Sequence, residues 1–178
     1  MGGKNLYVFI EGPDDERFFK DIIIPYFESE YCFIKIIKYA RKKENQVRDF
    51  IRAIDKKRDD YLFVSDMNNS PCISKRKKKI LSKFSNLAQD KIIIVIREIE
   101  SWYLAGLDAQ KGKKLKIKVP RYTNDIHKEK FESILSKKNP NESMKNLKIE
   151  ILKMFSIEIA KKKNRSFRYF AEKFSIVE

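Results

Sequence analysis

Apolar positions along this chain recur with two different spacings, and the spacing changes wherever Gly, Pro, Asn or Asp interrupts it. Asn5 to Ile10 is a short apolar run with the character of a buried strand. Gly12-Pro13 breaks it and starts a helix that runs through Phe18, Phe19, Ile22 and Ile23 until Pro25 disturbs it. Tyr31 to Ile37 predicts a second strand and Tyr61 to Val64 a third. Between them, Glu44 to Arg58 spaces Val47, Phe50, Ile51 and Ile54 for one face of an amphipathic helix. Ser74 to Leu87 reads as a basic helix with Ile80, Leu81, Phe84 and Leu87 spaced for burial. Lys91 to Ile96 is a continuous β-branched run, as expected of a strand covered on both faces. Three βα units followed by a fourth strand predict an α/β fold with a central parallel sheet of about four strands and right-handed crossovers.

Beyond Leu107 the texture changes. Residues 109–125 are Lys-rich and loop-like, with a short strand at Leu115 to Val119, and helices are predicted over Lys128 to Ser136, Glu142 to Phe155 and Ser166 to Phe174. The expected organisation is an α/β core over residues 1–107 with residues 108–178 as a basic loop and helical appendage packed on the same domain.

Composition adds chemistry to this frame. The 178 residues are 42% hydrophobic and 37% charged, enough for one core and a charged exterior, and their net charge is +15. A field of that sign attracts polyanions, although most of the cations are Lys, which composition bias or heat adaptation also enriches. The densest positive segments are Lys75-Arg76-Lys77-Lys78-Lys79 and the series that includes Lys113 and Lys114. Arg121, Arg165 and Arg168 lie near Tyr122, Phe167, Tyr169 and Phe170. Together they form a candidate nucleic-acid track, or else a solvated helix face and a loop. No apolar run approaches the roughly 20 residues of a membrane span, and the amino-terminal stretch reads as a strand and not a signal peptide. Cys32 and Cys72 stand apart from any Cys/His spacing, as free cytoplasmic thiols would. His127 has no metal-ligand spacing.

Against this basic background, acids gather where strands end: Glu11-Gly12-Pro13-Asp14-Asp15-Glu16, then Asp66 with Asn68, then Glu98 and Glu100. Oxygen donors at the carboxyl edge of a parallel sheet suit a hard divalent cation. Acids in the first turn of a helix also complement its dipole, which is the expected role of Asp14 and Glu16. Asp66 and Asn68 sit within turn chemistry, Asn68-Asn69-Ser70-Pro71. A helix starting near Ile99 sends Glu98 and Glu100 in different directions and buries Trp102 and Leu104.

A strand ending in Glu-Gly, an acid four residues later, an Asp-x-Asp-like pair after strand three and an acidic motif after strand four together resemble the Toprim catalytic domain. VFIEGPDDERFF and REIESWYLA look like the stand-alone Toprim-like relatives of the OLD (overcoming lysogenisation defect) nucleases. The likeness spans about residues 5 to 107, with an echo in Ser166-Phe167-Arg168-Tyr169-Phe170. It implies a Toprim-like, Rossmann-like fold and a Mg²⁺- or Mn²⁺-dependent nuclease. Glu11 would be the metal-linked catalytic acid, Asp15 the acid one turn on, Asp66 the first acid of the pair, and Glu100 the acid after strand four, with Glu98 as fallback. Asn68 stands where the family pattern has Asp; its carbonyl still ligates, but one charge is lost. The family's Lys has candidates in Lys161, Lys162, Lys163 and Lys173. The chain contains no GxxxxGK[ST] phosphate loop, so the ATPase that accompanies Toprim in full-length OLD proteins would act in trans. Two other readings remain open: a non-catalytic nucleic-acid-binding Toprim relative, and a receiver-like domain with Asp66 as phosphoacceptor.

Overall fold

A computed structural model describes residues 3–137 and 141–177. Its four strands are β1, Asn5–Ile10, β2, Phe33–Lys38, β3, Asp60–Asp66, and β4, Ile92–Val95. They form one parallel sheet in the order β2-β1-β3-β4. Leu6 pairs with Ile34 on one side of β1 and with Asp60 on the other. The expected α/β class with a Rossmann-like parallel sheet is therefore the class observed.

The chain resolves into two compact units, Met1–Ile94 and Val95–Glu178, divided within β4. In the first, α1, Pro13–Phe18, continues through a π-helical segment, Phe19–Ile23, into α2, Ile24–Phe27. The wider turn falls just before Pro25, whose missing N–H removes a helical donor. Helix α3, Glu44–Lys57, buries Val47, Ile51 and Ile54 at spacings of four and three, and α4, Ile73–Lys83, buries Ile80. These side chains join Phe9, Phe63, Phe84, Ile92 and Ile94 in one cluster against the sheet. Phe50 departs from the expected apolar face: it is 37% exposed, with the Lys42 ammonium 5.5 Å from its ring centre.

The sheet order places a topological switch between β1 and β3. The chain steps from β1 out to β2 and then crosses to the other side of β1 for β3 and β4. The crossovers diverge there, and it is outside the carboxyl ends of two such strands that ligands of open α/β sheets bind.

The second unit is helical: α5, Glu100–Ala105, α6, Ala109–Lys114, α7, Lys128–Ser136, α8, Met144–Lys153, α9, Ile157–Lys163, and α10, Arg165–Lys173. Its core is aromatic, with Phe167 at 5.2 Å and Phe170 at 5.3 Å from the Trp102 ring and Phe131 at 5.9 Å from Tyr103. Three expectations are corrected here, and one helix, α9, is additional. Ala109–Lys114, expected as loop, is helix α6. Leu115 to Val119 is not a strand; Asp108 caps α6 and the chain turns at Lys116 with φ 54°. Residues 157–163 form α9, whose Ser156 cap supplies the start signal. Phe167 and Phe170, grouped by sequence with the basic track, are fully buried. No helix among the described residues is long and apolar enough to cross a membrane.

Candidate functional site

Glu11 follows the last residue of β1 and lies at the switch point, beside the end of β3. One of its oxygens, Oε1, accepts hydrogen bonds from the Ser65 hydroxyl at 2.8 Å, the Tyr39 hydroxyl at 3.0 Å, the Asp66 backbone N–H at 3.1 Å and the Arg76 guanidinium at 3.4 Å. Arg76 also donates to Ser65 Oγ at 2.7 Å. Among the described residues the other oxygen, Oε2, has no hydrogen-bond donor. The carboxylate is thus held at fixed orientation with one oxygen consumed by the protein and the second open to a ligand. Burial, aided by the Glu11 charge, pushes the Tyr39 phenol well above its ordinary range, so it stays a donor to Glu11.

Sequence reasoning did not find Ser65, Tyr39 or the inward role of Arg76. Arg76 was grouped with the basic track, but it lies one turn into α4 at a position facing the sheet edge, and its side chain is only 15% exposed. Lys75, Lys78 and Lys79 of the same helix are exposed, while Lys77 donates to the Gln89 carbonyl. No local sequence signal announces these partners, because Tyr39, Ser65 and Arg76 come from three separate segments that only the sheet order unites.

Around Glu11 the remaining acids divide. The Asp15 carboxylate is buried and accepts from the Gly12 backbone N–H at 3.0 Å, capping its own helix. Asp14 pairs with Arg17 at 2.6 Å. Glu16 pairs with Lys20 and with Lys38, and these cations hold its carboxyl below the usual range. Asp66 ends β3, and its backbone N–H already binds Glu11. Asn68 is exposed, takes the left-handed conformation at φ 48°, and turns its amide onto the Asp66 carbonyl at 3.4 Å. Asn tolerates that conformation better than most residues.

The acids after β4 belong to the second unit and are engaged within it. Glu98 accepts from the Lys128 backbone N–H at the start of α7. Glu100 is 4% exposed and lies 3.5 Å from the equally buried Lys148 ammonium, a pairing that a buried carboxylate requires. Beside it runs a buried polar network. Asn164 donates to Ser101 at 3.2 Å and to Thr123 at 3.0 Å, and its Oδ1 accepts from Ser166 at 2.8 Å. Ser166 Oγ in turn accepts from the Trp102 indole at 2.9 Å and from the Ile96 N–H at 3.1 Å. The REIESW motif and the terminal Ser-Phe-Arg motif are therefore bonded to each other through this network.

Basic residues of the second unit also separate. Lys113 and Lys114 are exposed on α6, and Lys113 borders an apolar hollow of about 960 Å³ floored by Ile117, Val119 and Ile134. A second, smaller pocket of about 340 Å³ is lined by Tyr122, Lys161, Lys162, Lys163, Arg165 and Arg168. Lys163 donates to the Leu107 carbonyl at 2.6 Å, and burial pulls its ammonium down to about 8, opposed by the Asp108 charge. Arg121 lies outside that lining, stacked on the Tyr122 ring at 5.4 Å. His127 is exposed and contacts Glu129 at 2.7 Å.

Among the described residues no group of three or more His, Cys, Asp or Glu is arranged to hold a metal ion. At the switch point the first unit has the Glu11 carboxylate, and next to it Asp66, whose backbone N–H binds Glu11 and whose Oδ1 is buried without a hydrogen-bond partner among the described residues. Two carboxylates are the kind of donor set that Mg²⁺ takes, since it binds through one or two carboxylates and keeps several waters. No family model, curated protein or solved structure matches this chain.

Proposed function

We propose that the switch point between β1 and β3 is the centre of a Mg²⁺- or Mn²⁺-dependent, Toprim-type phosphodiesterase acting on DNA or RNA. The observation that carries this reading is the junction of two separate acidic motifs: the backbone N–H of Asp66 binds Glu11 Oε1 at 3.1 Å at the switch point of a parallel sheet. Glu11, through Oε2, and Asp66 would hold the ion, which supplies polarisation of the phosphate and an acidified water. Ser65 and Tyr39 fix the orientation of Glu11. Arg76 neutralises it, and its guanidinium is the group at hand to meet charge developing on a phosphate oxygen. The proposed cation delivers what those side chains lack, a charge able to bind carboxylate and phosphate at once. A partner ATPase acting in trans belongs to the same reading.

Glu11→Gln is expected to abolish Mg²⁺- or Mn²⁺-dependent cleavage of labelled single- and double-stranded DNA and RNA while leaving affinity within about two-fold. Equal cleavage by the variant overturns the assignment.

A second reading, a nucleic-acid-binding relative without catalysis, is favoured by one set of contacts. Glu11 is already neutralised by Arg76 and Glu100 by Lys148, so neither carboxylate depends on a metal for a positive partner. Salt-sensitive binding with no product at any Mg²⁺ or Mn²⁺ concentration selects it.

A further inference from the structure

The small basic pocket of the second unit has a cation arrangement that helix formation does not explain. Lys161, Lys162 and Lys163 occupy the last turn of α9, where cations complement the helix dipole. Arg165 and Arg168 occupy the first turn of α10, which contains no acid, although positive charge is disfavoured at a helix N-terminus. Lys161 is paired with Glu158 at 2.8 Å, and Lys163 is spent on the Leu107 carbonyl. Among the described residues, Lys162, Arg165 and Arg168 have no carboxylate partner, and all three are exposed. Three uncompensated cations therefore meet at one pocket, at a helix end that itself favours an anion.

The pocket is also built to stay in shape. Asn124 Oδ1 accepts from the Arg165 N–H at 2.8 Å, tying the Tyr122–Asn124 segment to the start of α10. The Asn164 network beneath fixes the junction of α9 and α10 from inside, through Thr123 and Ser166. Tyr122 stands at the edge with 59% of its surface exposed, held by a folded segment, and with Arg121 5.4 Å from its ring centre it is the opposite face that a base would stack on. At about 340 Å³ the cavity lies at the small end of ligand pockets, which run from roughly 300 to 1,000 Å³, and it is far too small for duplex.

We infer that this pocket binds the phosphorylated end of a single nucleic-acid strand, with the terminal phosphate on Lys162, Arg165 and Arg168 and the adjoining base stacked on Tyr122. A terminal phosphomonoester carries more charge than an internal diester, and guanidinium groups bind phosphate oxygens in a fork geometry. Aromatic stacking tolerates any base. The inference shares the nucleic-acid ligand with the proposed function but uses none of its carboxylates and needs no metal.

The test is fluorescence anisotropy of the full chain, in chelator so that no cleavage intervenes. The probes are one short single strand prepared with 5′-phosphate, with 3′-phosphate and with hydroxyl ends, and its duplex. One phosphorylated form is expected to bind about ten-fold tighter than the hydroxyl form. Arg165→Gln with Arg168→Gln should erase that preference, and Tyr122→Ala should weaken the phosphorylated strand at least several-fold. Lys78→Gln, remote in sequence and exposed, should lower all affinities alike. Equal binding of phosphorylated and hydroxyl ends overturns the inference, as does a preference for duplex or an unchanged preference in the double variant. Should the double variant fail to fold, Arg168→Gln alone is measured, and competition by a mononucleotide against the wild-type complex reads the same site: displacement supports the pocket and its absence at saturating nucleotide overturns it.

Discussion

Glu11 shows how a single carboxylate acquires a role from neighbours distant in sequence. Its position after an apolar strand marked it as a candidate, and its acceptor oxygen is filled by Ser65, Tyr39, Asp66 and Arg76. The Tyr39 phenol has a consequence measurable without a substrate. Its pKa in the folded chain is raised, so its contribution to stability is intact below the unfolded value of about 10 and is lost as pH rises beyond that value. Tyr31, pushed up to about 12 chiefly by burial, and Tyr61 act with the same sign. Denaturant titrations at pH 9 and pH 11 should show the wild type losing stability across that interval and Tyr39→Phe losing less. An identical loss in both would show that the Tyr39 phenol ionises as freely folded as unfolded. Asp15 illustrates the opposite outcome: one turn into the helix, its carboxylate closes on Gly12, a local bond that sequence spacing alone permits.

At the scale of elements, the strands and most helices were legible because burial on both sheet faces leaves a continuous apolar run and amphipathic helices a 3.6-residue period. The Ile157–Lys163 helix was not, since it is short and ends in three lysines that interrupt its apolar period. Nor could spacing show that the helix after β4 buries Glu100 against Lys148, 48 residues on. Glu100→Gln and Lys148→Met are each expected to cost about 3 kcal/mol in urea unfolding, because each takes from a buried charge its counter-charge at 3.5 Å. Replacing both by apolar residues of similar volume should recover most of the loss. A near-neutral Glu100→Gln would show that the pair is dispensable to the fold and would return Glu100 to consideration as a ligand. The Asn164 network likewise joins motifs that sequence separates by more than sixty residues, Ser101 and Trp102 with Ser166.

For the whole molecule, the net charge of +15 is a property of composition, and its use is decided by which cations remain exposed and unpaired. Among the described residues Lys75, Lys78 and Lys79 remain so, whereas Arg76 has turned inward. If the exposed lysines contact phosphates, changing all three to Gln should reduce the slope of log affinity against log salt for a single strand by about 2, at roughly 0.7 per phosphate. An unchanged slope identifies that face as a solvated helix surface. The sequence by itself determined the α/β class, the strands, and the placing of acids at strand ends, because these follow from local period, turn chemistry and the direction of the chain. Only the tertiary structure decided what each charge does. Sheet order set Glu11 beside Asp66 and brought Arg76 onto it, and folding within the second unit paired Glu100 with Lys148 and gathered Lys162, Arg165 and Arg168 at one pocket. The physical reason is that a charge takes its energy from its surroundings in space, its burial and its nearest counter-charge, and these are set by contacts between segments far apart along the chain.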